Sequence, residues 1–149
     1  YANGKGKLIF AAAGTSFSWT SWWGVIYPAA YSACVAVTGV KESGSTCATC
    51  HDGSQVRFTV PMERTANSNR NSLALMPNGT TPAYIGGSSV ATSTAAGVAA
   101  LVWSAKPTLT SAQVLDIMTR TAQFYPSRNS TKGFGNINAA AAVTLATTY

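Results

Sequence analysis

The chain of 149 residues is the size of one ordinary domain, and 46% hydrophobic against 9% charged content excludes a disordered polymer. Ten Lys and Arg face four acids for a net charge of +6, but the basic residues are scattered and no aromatic-interleaved cluster forms, which argues against nucleic-acid binding. The most apolar stretch, Ala95 to Trp103, is too short to cross a bilayer, and the start at Tyr1 without Met or signal segment leads us to expect processed or excised material.

In chain order, Lys7 to Gly14 is a short apolar run ending in Gly and is predicted as a strand buried on both faces. The loop from Thr15 to Gly24 carries Trp19, Trp22 and Trp23, read as partly buried anchors rather than a stacking platform. Ala33 to Thr38, stopping at Gly39, and Gln55 to Val60, stopping before Pro61, are predicted as two further strands. Between Met62 and Tyr84 the chain is rich in Asn, Ser, Pro and Gly, so a long surface connection is expected there.

From Ser89 to Ala105 the pattern becomes helical, with small residues that let a helix approach a sheet, and Lys106-Pro107 ends it. Thr110 and Gln113 stand at capping-box spacing, with Leu109 and Val114 at the staple positions, so a second helix is predicted to run to about Thr121. A third is expected from about Asn138 through the Ala-rich tail. The whole reads as α/β, a mostly parallel sheet flanked by helices, with too few strands for a complete doubly wound domain.

Gly86-Gly87-Ser88-Ser89 places two glycines and a serine where a helix begins. A hydroxyl there is presented at a turn, beside backbone N–H groups and the positive end of the helix dipole, where an oxyanion would be stabilised. On this segment alone a serine that merely caps the helix satisfies the same pattern. The wider run Gly87-Ser88-Ser89-Val90-Ala91-Thr92 through Ala95-Ala96-Gly97 resembles the nucleophile segment of the subtilisin-like serine peptidases. Ala11-Ala12-Ala13-Gly14, Tyr27-Pro28-Ala29-Ala30-Tyr31 before Val35-Ala36-Val37, and Gly133-Phe134-Gly135-Asn136 through Ala140 match further family segments in the family's order.

That resemblance implies a partial subtilisin-like fold, residues 1–149 being the C-terminal portion of the peptidase domain. It implies acyl transfer by Ser89, with the Asp and His of the triad carried by an N-terminal chain or segment of the same peptidase. It implies an oxyanion hole made by the Ser89 N–H and Thr15, which stands where the family usually has Asn. Ala12, Ala13 and Gly14 would form one wall of the primary specificity pocket and Ile26 its shallow floor, favouring small or medium apolar side chains of a protein or peptide substrate. Structural calcium is allowed by the resemblance, without an assigned ligand set, and a secreted or otherwise extracytoplasmic setting is implied. Rival readings are an inactive subtilisin-like binding module and a serine-carboxyl peptidase working at low pH.

Cys47-Ala48-Thr49-Cys50-His51 matches the c-type haem attachment motif, yet its flanks offer no helical pocket, and Cys34 is the one additional thiol for a metal site. The preferred reading is a Cys47–Cys50 disulfide stiffening a surface loop, with Cys34 a buried free thiol, which again favours an oxidising compartment. His51 and Asp52 are too close in sequence to act as a substitute base and orienter for Ser89. No metal-ligating residue is assigned, and no nucleic-acid or membrane partner is expected.

Overall fold

Runs of Ala, Val and Phe build a three-stranded parallel sheet in which β1 (Phe10–Ala12), β2 (Val35–Lys41) and β3 (Val56–Glu63) lie side by side in chain order. The computed structural model describes residues 1–16, 24–63, 72–75, 79–80 and 82–149, so Trp19, Trp22 and Trp23 lie outside the described residues. Alternation along the strands, with a register irregularity at Arg57 that puts Val56 and Phe58 on opposite sides, divides the apolar side chains between two faces. Val35, Val37, Phe58, Val60 and Met62 point to the face covered by helices, while Ala11, Ala13, Ala36 and Val56 meet Val25 and Ala29 on the other.

Helix α1 (Ser88–Ala105) packs across all three strands through Ala91, Ala95, Ala99 and Val102, small side chains that allow a close approach. Helix α2 (Ser111–Arg120) contributes Val114, Ile117 and Met118, all without solvent contact, and fully burying a side chain of that size stabilises by about 1.5–3 kcal/mol. Helix α3 (Ala139–Thr148) is capped by Asn138, whose side chain accepts the Ala141 N–H. Tyr149 donates its hydroxyl to Asp116 Oδ2 at 2.8 Å, which joins the end of α3 to α2 and raises the pKa of the phenol. The α/β class and the flanked parallel sheet are those expected from the sequence.

Three boundaries differ from expectation. β1 is confined to Phe10–Ala12, and β2 continues through Gly39 to Lys41, because Met62 fills the space that a side chain at Gly39 would need. β3 continues through Pro61 to Glu63. Arg57 O accepts the Phe134 N–H and Thr59 N–H donates to Gly135 O, so odd-numbered residues of β3 turn their backbone groups away from β2. Pro61 keeps that parity, and its missing N–H removes no bond to β2. The connection after β3 holds an antiparallel pair, β4 (Ser72–Leu75) and β5 (Pro82–Ile85), where only a loop was expected.

Candidate active site

The C-terminal end of β1 runs directly at the start of α1. Gly87 is the N-cap residue, with φ of 90° and no side-chain cap, and a Cβ there would stand 3.1 Å from Thr15 Oγ1, so both conformation and space favour glycine. Ser88, 1% exposed, turns inward: its Oγ accepts the Gly14 N–H at 3.2 Å and shares a 2.9 Å hydrogen bond with Thr15 Oγ1. Thr15 Oγ1 also accepts the Ser88 backbone N–H at 3.0 Å. Ser89, one residue on, is exposed at the second position of α1, where a backbone N–H has no helical carbonyl to bond.

The shared proton can be assigned physically. Were Thr15 to donate to Ser88, the buried Ser88 hydroxyl would keep a proton without an acceptor, at a cost of about 1–3 kcal/mol. Ser88 therefore donates to Thr15. With that assignment Thr15, half-buried, receives two hydrogen bonds and its own proton is not used in either. Sequence reasoning did not find this lock, which joins residues 73 positions apart; the one available signal was a hydroxyl residue at Ser88 facing a hydroxyl residue after the Ala-Ala-Ala-Gly strand.

Ala12, Ala13 and Gly14 line up beside Ile26, whose N–H donates to Ala13 O at 2.9 Å; Ala13 is buried and Ile26 is 40% exposed. The segment containing Cys47 to His51 is packed behind this wall. Thr15 bridges to Cys50 in antiparallel fashion, and the Ser16 N–H donates to Thr49 O at 2.7 Å. The Cys47 and Cys50 sulfurs are bonded to each other. His51 is buried, with Nε2 at 2.7 Å from Ser16 Oγ and Nδ1 at 2.9 Å from Gly24 O, while Asp52 Oδ2 accepts from Thr46 Oγ1 instead. Sulfurs joined to each other and ring nitrogens engaged by protein atoms leave this segment without the thiols and open imidazole that haem attachment requires. Cys34 is free and half-buried, rather than buried as expected. Among the described residues no group of three or more His, Cys, Asp or Glu is placed to hold a metal ion.

The profile of the Subtilase family matches residues 1–136. The chain belongs to the subtilase family. Subtilisin E of Bacillus subtilis (strain 168) is 36% identical over 138 residues, which cover 92% of this chain and 34% of that relative. The solved structure of proteases from Pseudoalteromonas arctica PAMC 21717 superimposes with a TM-score of 0.76 at 25% identity, covering 97% of this chain and 44% of that one. MycP1 from Mycobacterium smegmatis, at 24% identity, shares the fold, with a TM-score of 0.75 over 95% of this chain and 42% of its own. This subtilase chain thus spans about a third of the length of subtilisin E. Among the described residues His51 bonds to Ser16 and Gly24, and Asp52 to Thr46, so the adjacent His–Asp pair of this chain is engaged away from Ser89.

Proposed function

We propose that the chain supplies the nucleophile and the oxyanion donors of a serine endopeptidase. The reading is carried by one observation: Ser89 is exposed in the first turn of a helix whose N-cap is a glycine, and Ser88 just before it is bound through its N–H and its hydroxyl to Thr15 Oγ1. Ser89 Oγ attacks the scissile carbonyl while a histidine from a preceding segment takes its proton and an aspartate orients that histidine. Negative charge developing on the carbonyl oxygen is met by the Ser89 N–H, the Thr15 hydroxyl and the positive end of the α1 dipole. Histidine then returns the proton to the leaving amine, and water repeats the sequence on the acyl-enzyme. A threonine reaches less far than asparagine, so slower turnover is expected than with the usual family residue.

Ala12, Ala13 and Gly14 form a wall and Ile26 the floor of a shallow pocket for small or medium apolar side chains. Cleavage-site mapping with a peptide library tests this; a preference for large aromatic or basic residues overturns it. An extracytoplasmic setting is supported by the Cys47–Cys50 bond, since such bonds persist in oxidising compartments. No helix among the described residues is long and apolar enough to cross a membrane.

A fluorophosphonate probe should label Ser89 when the N-terminal part carrying Asp and His is present, and fail to do so without it. A second reading, an inactive binding module, is favoured by the engagement of His51 with Ser16 and Gly24 and of Asp52 with Thr46, away from Ser89. Absence of labelling and turnover in the complete protein, together with tight binding of a partner, would select it.

A further inference from the structure

His51 is the single histidine of the chain and has no part in the reaction proposed above. It is nevertheless 4% exposed, and an imidazole is tolerated in an interior when its ring nitrogens find partners. The Gly24 carbonyl can only accept, so Nδ1 carries the proton; in the neutral ring Nε2 then accepts the Ser16 hydroxyl. Backbone bonds fix the ring's position as well: His51 N–H donates to Gly14 O at 2.9 Å, and Thr38 Oγ1 donates to His51 O. Gly14 lies against the ring, and a Cβ at that position would collide with it.

Ser16 continues directly from the Ala12–Gly14 wall through Thr15. Gly24 leads through Val25 to Ile26, which returns to the wall through its hydrogen bond to Ala13 O. One imidazole therefore holds both strips of the proposed specificity pocket and backs the residue that precedes Thr15. We propose that His51 is a positioning residue that sets the separation of these two strips and, through Gly14, the placement of Thr15. This inference deepens the peptidase reading and rests on it.

Two variants of the full-length protein remove the same bond from opposite sides. His51→Asn keeps a side-chain N–H able to reach Gly24 O but has no acceptor for Ser16, and Ser16→Ala, the milder change, removes the hydroxyl. In each, amide exchange at Ser16, Ile26 and residue 51 should quicken by up to about tenfold while β2 and β3 keep their protection. The ratio of kcat/KM between substrates with a small and a larger apolar residue at the cleaved position should shift by about tenfold, and the double variant should add little to either single one. A protein that loses stability without losing register would not change that ratio. Unaltered exchange at the three amides, quickened exchange throughout the chain, or an unaltered ratio in protein still labelled at Ser89 each overturns the proposal. If the complete wild-type protein is not labelled, the peptidase reading has failed by itself, and the exchange at the three amides decides whether His51 holds the strips.

Discussion

Helices α1 and α2 begin in opposite ways. α2 closes its own end: Thr110 Oγ1 accepts the Gln113 N–H at 3.3 Å, Gln113 Oε1 accepts the Thr110 N–H at 2.8 Å, and Leu109 and Val114 are buried around the same turn. α1 starts behind Gly87 without a side-chain cap, sends its Ser88 N–H to Thr15 on another element, and leaves Ser89 at the surface. The first arrangement uses the local donors for stability. The second leaves the Ser89 N–H, with the positive end of the helix dipole, for the proposed oxyanion, since the Ser88 N–H is taken by Thr15 and those of Val90 and Ala91 by Gly87 O. The proposed site therefore sits at the helix end whose first N–H is bound from another element, and not at the self-capped one.

The contrast can be broken most directly at Ser89. Ser89→Ala should remove fluorophosphonate labelling and lower kcat by at least about 10⁴-fold, the scale on which loss of one triad member acts, with the melting temperature nearly unchanged. Surviving turnover would place the nucleophile elsewhere. Thr15→Val keeps the shape and deletes the hydroxyl; kcat should fall by about 10²-fold at similar KM, the scale of an oxyanion donor in subtilisin, a relative of this chain. The same change leaves the buried Ser88 hydroxyl without an acceptor, so urea unfolding should also show a loss of about 1–3 kcal/mol. Full activity in Thr15→Val would leave the Ser89 N–H as the donor that matters.

Gly87→Ala sharpens the comparison by forcing a side chain onto a backbone of φ 90° and ψ 167° beside Thr15; a loss of about 1–3 kcal/mol is expected, together with a fall in kcat. Thr110→Ala is the control at the closed helix end. It should cost about 1 kcal/mol in denaturant unfolding and leave kcat within about twofold. A large rate effect from Thr110→Ala would erase the distinction between the two helix starts.

What the sequence made legible follows the range of the interactions. The Thr110–Gln113 box, the Asn138 cap and the small-residue face of α1 are built from residues within one or two turns of each other, and each could be read in order along the chain. Strand limits were harder. Pro61 looks like a terminator until it is known that its missing N–H points away from β2, and Gly39 looks like a strand end until Met62 is found beside it. The β4–β5 pair went unread because its surroundings are rich in the residues that ordinarily form loops. At the candidate site, motif order proposed Ser89 and Thr15, but the Ser88 hydroxyl that connects Gly14 to Thr15 depends on a contact between the end of β1 and the start of α1 that no local pattern encodes. The same holds for His51, whose neighbours Ser16 and Gly24 come from a different stretch of chain.

The position of β1 has a practical consequence. Its inner side pairs with β2, and no strand among the described residues lies along its outer side, which leaves a row of amide and carbonyl groups of the kind that recruits further strands. Prepared as an isolated polypeptide, the chain would be expected to stack against copies of itself along Phe10–Ala12. Refolding yield and storage would then depend on dilution.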